Sequence, residues 1–365
     1  KKRVPVVTLW VMRAHISWLT LVANAPAVVA LAEALHTAGT KLSAALSTPA
    51  ESPPDTAWLN ERPDIDLKTL FEFERNGHIA MRGFFKKSGL ASFDAPIREA
   101  FRRREFDAWF QSARVMLGEE AVRDDFGEMM FETSEECREA LEDYDVELPF
   151  LQVFNSHRVD PAVEALVKCP RLAEAAALLL GVPRVRLYQD SMFLKRPGDG
   201  PTRWHSDLHM APFDTNRMVT AWIPLDHVPP QAFGGTGLTF ASGSHRDFAL
   251  AFWSRPHESG QDFSARYAEC LADHGELFVG DVTWHHGWTL HSAPANEVDF
   301  DDFDDFVELE DDEDEGGGLG GLGGGPAIGS RLALTVSFIA DGARVLNRRA
   351  EGEAEGVGDG VGEGG

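Results

Sequence analysis

The sequence is poor in cysteine and tyrosine, with three of each in 365 residues. Cys137, Cys169 and Cys270 are far apart and odd in number, so they make no disulfide framework. There is no Cys-x-x-Cys pair to hold a structural zinc. The three read as buried thiols in a reducing compartment. Basic residues are also scarce, 34 Lys and Arg against 59 Asp and Glu, for a formal charge of −25. Nucleic-acid backbones need a basic surface, so a nucleic-acid partner is excluded. The acid is unevenly spread. Thirteen carboxylates fall within residues 297–315, and without them the balance drops to about −12. Apolar runs are short as well. The segment Val4–Val22 is interrupted by Arg13 and His15, which argues against a membrane span. No repeat of domain length occurs, and there is no His-Glu-x-x-His zinc motif.

What remains is enough for a real core, since hydrophobic residues make up 43% of the chain. The first 50 residues hold one acid, Glu33, against five Lys or Arg, and are rich in Ala, Val and Leu. Ala23-Asn24-Ala25 has the form of a cleavage site. Residues 1–55 therefore read as a leader or targeting-like extension, disordered in part and ending in the linker Glu51-Ser52-Pro53-Pro54. A targeting peptide would make the protein organellar; otherwise it would be cytoplasmic.

The domain proper spans about residues 65–345. Its first part predicts helices: Asp66–Asn76, closed by Gly77, then Leu90–Leu117, part of Gly118–Val146, and Pro161–Leu180. His78–Phe85 reads as a strand. After Gly181 come short runs rich in Val, Phe, Trp and Thr. These are Val185–Lys195, Met218–Pro224, Gly237–Ala241, Glu276–Val279, Val282–Trp288 and Leu332–Ile339. Gly, Pro and Asp clusters separate them, which predicts an antiparallel jelly roll and not a βαβ array. The segment 298–330 interrupts this pattern with Phe-Asp repeats, an acidic run and a Gly-rich run. Like charges and glycine entropy predict a disordered insertion there. The tail 350–365, rich in Glu and Gly, reads the same way.

The chemistry sits in Trp204-His205-Ser206-Asp207. In an extended chain, His-x-Asp puts an imidazole and a carboxylate on one side. A second histidine from a distant strand completes the two-His, one-carboxylate face of non-haem Fe(II) oxygenases. His285, His286 and His291, within Gly280–Asn296, are the candidates. A basic fork near that histidine would bind a dicarboxylate, and Arg331 follows once the insertion is looped out.

These segments together resemble the phytanoyl-CoA dioxygenase family. The residues that carry the likeness are Phe73–Phe85, Leu187–Asp207, Ala221–Asp226, Gly234–His245, Gly280–Asn296 and Arg331–Phe338. The resemblance implies a mainly β fold with N-terminal helices and a double-stranded β-helix, jelly-roll (cupin-like) core. It implies His205, Asp207 and His291 as Fe(II) ligands. His291 is preferred because it precedes a Ser/Pro/Asn stretch; His285 and His286 are then structural or support the ligands. It implies 2-oxoglutarate and O₂ as cosubstrates, with ascorbate supportive. Arg331 would hold the far carboxylate, with Ser292, Trp222, Gln189 and Lys195 near the cosubstrate or substrate. Related halogenases lack the carboxylate at Asp207, so its presence points to hydroxylation of a small organic or acyl-type molecule, with release of succinate and CO₂. Three rivals stay open: a non-catalytic β-helix binding protein, a zinc hydrolase on the same three ligands, and a 2-oxoglutarate enzyme that desaturates or epimerises instead of hydroxylating.

Overall fold

The computed structural model describes residues 56–124, 127–247, 262–297 and 329–346. The leader and the tail expected from the sequence lie outside the described residues, as does the insertion up to residue 328.

Helices come first. α1 (Leu67–Asn76) starts at Asp66, whose side chain accepts a hydrogen bond from Thr69 N at 2.8 Å. It stops at Gly77, in the left-handed region at φ 77°. The strand β1 follows at His78–Met81, shorter than the pattern suggested. The segment after it forms two helices, α2 (Lys87–Arg102) and α3 (Glu105–Leu117). α4 (Ser134–Asp143) opens with a full capping box between Thr133 and Glu136. The expected single helix over 161–180 is two, α5 (Pro161–Val167) and α6 (Pro170–Leu180). The break has a steric cause. Cys169 precedes Pro170 and is extended, at φ −64° and ψ 141°.

The remaining strands are β2 (Leu151–Phe154), β3 (Val185–Lys195), β4 (Thr202–His205), β5 (Met218–Pro224), β6 (Thr239–Ala241), β7 (Leu271–Asp273), β8 (Val282–His286), β9 (His291–Ala293) and β10 (Arg331–Ala340). Two short helices join them, α7 (Asp207–Met210) and α8 (Phe263–Arg266). Six strands form a major sheet in the order β1-β8-β5-β10-β3-β2, and four form a minor sheet, β4-β9-β6-β7. Every named pairing is antiparallel. This is the jelly-roll core expected. The segment Glu276–Val279 is not a strand of either sheet; Leu277 makes only an isolated bridge to Val228.

Alternation on β10 divides the two faces. Leu332, Leu334, Val336 and Phe338 turn outward and share a core with helix residues such as Phe93, Ile97, Leu172 and Ala176. Burying each large apolar side chain stabilises the fold by about 1.5–3 kcal/mol. Arg331, Ala333, Thr335 and Ser337 are the alternate set and turn into the barrel. Cys137 and Cys169 are buried, and burial pushes each thiol up to about 11. Cys270 is exposed, against expectation: it lies in a surface turn between α8 and β7. No helix among the described residues is long and apolar enough to cross a membrane.

Candidate metal centre and cosubstrate pocket

His205 ends β4 and Asp207 opens α7. Ser206 between them is extended, at φ −132° and ψ 139°, so the two side chains share one side as the spacing predicts. His291 opens β9 directly opposite His205. One atom from each of His205, Asp207 and His291 falls in a cluster no wider than 4.8 Å, the only such group of three found among the described residues. Asp207 Oδ1 is 3.6 Å from His291 Nε2 and 3.9 Å from His205 Nε2.

The tautomers follow from the backbone. His205 Nδ1 donates to Arg203 O at 2.8 Å, and His291 Nδ1 donates to Thr289 O at 3.0 Å. A carbonyl can only accept, so each Nδ1 carries a hydrogen and each Nε2 is turned toward Asp207 Oδ1. Burial, with His205 and His285 close by, holds His291 well below the usual imidazole range. It is neutral, as a metal ligand must be. Burial by itself would raise the Asp207 carboxyl. The hydrogen bond from the neighbouring His285 outweighs this and holds it well below the usual carboxylate range. Two imidazole nitrogens and a carboxylate oxygen fit a divalent first-row metal such as Fe(II).

His285 is not in the cluster. It reaches the other oxygen, with Nε2 3.0 Å from Asp207 Oδ2. His286 points elsewhere, and its Nδ1 accepts from Trp288 N at 3.1 Å.

Arg331 is the first residue of β10 and pairs in register with Lys195 of β3. Its guanidinium donates from Nε to Thr236 Oγ1 at 3.0 Å and from one Nη to Thr236 O at 3.1 Å. It lies 5.1 Å from the centre of the Trp222 ring. The loop end is tied down. Asn296 Nδ2 donates to Gly329 O at 3.0 Å, which pins the segment just before Arg331. Lys195 is fully buried and donates to Gly200 O at 2.7 Å. Burial lowers Arg331 to about 10, partly opposed by Asp226. Burial and Arg331 lower Lys195 to about 8, opposed by Asp199 and Glu147. No ion pair to a carboxylate is found for either cation among the described residues. Two buried cations without an anion fit a dicarboxylate such as 2-oxoglutarate.

The other expected residues divide. Gln189 sits opposite Ser337 of β10, on the inward row. Ser292 pairs with Thr239 and, by alternation, turns away from the face of His291, so the structure does not bring it to the cluster. Sequence reasoning missed Thr220, Ser337 and Thr236. Thr220 carried a signal, being the single hydroxyl in the otherwise apolar β5; Ser337, which shares β10 with Thr335 and Arg331, and Thr236 carried none. Arg196, near the metal loop, is held by Asp199 and covers the Trp109 ring at 4.5 Å.

A jelly roll with three such donors and, among the described residues, a buried arginine without a carboxylate partner is compatible with the class of non-haem oxygenases that use iron and 2-oxoglutarate. Residues 73–300 match the phytanoyl-CoA dioxygenase family, and this chain belongs to it. It is a 2-oxoglutarate-dependent oxygenase. Arg331 lies beyond the matched span. Among solved structures, the fold resembles SnoK, a non-heme alpha ketoglutarate dependent carbocyclase from nogalamycin biosynthesis. The identity is 18%, the TM-score 0.51, and 79% of this chain and 89% of that one are covered. EctD from S. alaskensis, solved with 2-oxoglutarate and 5-hydroxyectoine, is also similar, at 16% identity and TM-score 0.46, over 81% of this chain and 83% of that one. No curated protein matches the sequence.

Proposed function

We propose that His205, Asp207 and His291 hold Fe(II), that Arg331 and Lys195 hold the far carboxylate of 2-oxoglutarate, and that the enzyme hydroxylates a small organic or acyl-type substrate. Succinate and CO₂ are the co-products, and ascorbate supports turnover by keeping iron reduced. The observation that carries this reading is the convergence of three donors, in the same barrel as a buried arginine that has no carboxylate partner among the described residues.

Bound Fe(II) supplies the redox chemistry that couples decarboxylation of 2-oxoglutarate by O₂ to oxidation of a substrate C–H bond. The protein supplies the rest. The Arg203 and Thr289 carbonyls hold both imidazoles in one tautomer. Three ligands on one face leave the remaining positions for the cosubstrate and O₂. Thr236 and the Trp222 ring pre-form the Arg331 fork, so little is lost in ordering it when a carboxylate arrives. The Asp207 side chain is 18% exposed and that of His205 21%, so this face is open to arriving molecules.

The test is succinate formation by the full chain with Fe(II), ascorbate, O₂ and 2-oxoglutarate, beside His205→Ala and Arg331→Ala. Iron-dependent succinate that both substitutions remove is the expected result. A wild type that binds neither iron nor 2-oxoglutarate would mark a non-catalytic binding protein instead. Zinc-dependent hydrolysis without 2-oxoglutarate would mark the hydrolase.

A further inference from the structure

We propose that His285, Thr220 and Ser337 form a positioning row that clamps the distal oxygen of Asp207, so that this carboxylate ligates metal through Oδ1 alone. The proposal rests on the reading of His205, Asp207 and His291 as the metal face. The row runs across β8, β5 and β10. Thr220 is the cross-strand partner of His285 on one side and of Ser337 on the other. Directly opposed residues share a face, so all three turn into the barrel.

Asp207 Oδ2 meets Thr220 Oγ1 at 2.6 Å and His285 Nε2 at 3.0 Å. An ionised carboxylate has no hydrogen to give, so both partners donate. Ser337 Oγ lies 3.0 Å from Thr220 Oγ1. The threonine hydrogen is committed to Asp207, so Ser337 donates to threonine. Oδ1 has no such donor among the described residues and faces the Nε2 atoms of His291 and His205, at 3.6 and 3.9 Å. Ligation through both oxygens would require Oδ2 to release two charge-assisted hydrogen bonds. It would also strand the N–H of a histidine that is 2% exposed. The clamp therefore reserves for cosubstrate or O₂ a coordination position that the second oxygen would otherwise take.

The choice of histidine supports this. His285 Nδ1 is buried and has no hydrogen-bond partner among the described residues. A residue needed only to fill space between Phe240 and His291, at ring distances of 5.7 and 4.4 Å, would not carry an orphaned nitrogen. The bond to Asp207 is what the imidazole adds. Asp207 itself needs support, because it opens a helix of only four residues after β4 has ended. The row ties that turn to three strands of the major sheet.

The test is Mn(II) titration of the metal-free full chain, followed by the electron paramagnetic resonance signal of free Mn(II). Wild type is compared with His285→Phe, Thr220→Val, His285→Gln and His205→Ala, with circular dichroism confirming each fold. His285→Phe and Thr220→Val should each weaken Mn(II) binding on the order of 10- to 100-fold, the usual effect of losing a ligand's partner. His285→Gln should recover most of the loss, since its amide N–H can reach the same oxygen. Thr220→Val is close to isosteric and keeps the strand. Wild-type affinity in His285→Phe and Thr220→Val, with His205→Ala losing it, would overturn the clamp and leave the metal face standing. A loss in His285→Gln as large as in His285→Phe would also overturn it, by showing that packing alone is at stake. If His205→Ala binds as tightly as wild type, the metal face itself is wrong and the clamp falls with it.

Discussion

Arg331 donates through Nε and one Nη to Thr236, which leaves the other Nη for a ligand. A lysine has no fork and cannot repeat this geometry. Arg331→Lys should therefore weaken 2-oxoglutarate by about 1.5–3 kcal/mol, roughly 10- to 100-fold, and Arg331→Ala by at least as much. Calorimetric titration of 2-oxoglutarate into Mn(II)-loaded protein measures this, and Mn(II) affinity should not change. Undiminished 2-oxoglutarate affinity in Arg331→Lys would show that Lys195 alone anchors the carboxylate. Lys195 makes a second prediction. Burial and Arg331 lower it to about 8, so the free site loses one of its two charges above that pH. Affinity for 2-oxoglutarate should be flat from pH 6.5 to 7.5 and then fall, approaching tenfold per unit, until the bound state also titrates. Lys195→Met should bind more weakly at pH 7 and lose this dependence. A wild-type profile flat to pH 9.5 would remove Lys195 from the anion site.

At the scale of elements, the loop that carries Thr236 is the part most open to test. A Cβ at Gly235 would stand 1.7 Å from the Pro229 carbonyl oxygen, a backbone atom that cannot step aside. Gly235→Ala should force the loop to shift and destabilise the protein by about 1–3 kcal/mol. Because Thr236 is next in the chain, 2-oxoglutarate affinity should fall while Mn(II) affinity holds. A parallel loss of both would mean that the loop supports the whole barrel and not only the anion site. Sequence patterns were informative where elements are long. α1 has a cap at each end, and β3, β5 and β10 run 7 to 11 residues with β-branched and aromatic side chains. β4, β7 and β9 run only three or four residues, too short for a period to show. Two of these carry His205 and His291. The His-x-Asp spacing was still legible, because an extended residue between the pair is enough to align them. The clamp on Asp207 was not. It depends on register between β5, β8 and β10, and cross-strand partners 65 or more residues apart leave no local pattern.

The whole molecule carries an acid liability that its composition hides. Thirteen of the carboxylates lie in residues 297–315, so the net charge says little about the barrel. The barrel instead buries histidines. Burial, with His274 and His285 close by, lowers His78 to about 3. Burial, reinforced by Arg82, lowers His274 to about 4, and burial with His245 lowers His286 to about 4. His78 stacks on Phe240 at 4.5 Å, and its Nδ1 lies 3.1 Å from His274 Nε2, so the two rings share one hydrogen bond and cannot both be charged without opposing like charges. In the unfolded chain these groups titrate near 6.5. Between about 6.5 and 4 the unfolded state binds protons that the native state refuses. Stability therefore falls as pH falls, by about 1.4 kcal/mol per pH unit for each histidine. Carboxylates bind protons mainly below about pH 5, so the upper part of this window belongs to the histidines. Urea unfolding of the metal-free protein at pH 7, 6 and 5 should show the loss. His274→Gln should flatten the slope by about one histidine's share, and a wild-type stability that is constant or rising from pH 7 to 5 would show that these rings titrate freely in the native barrel.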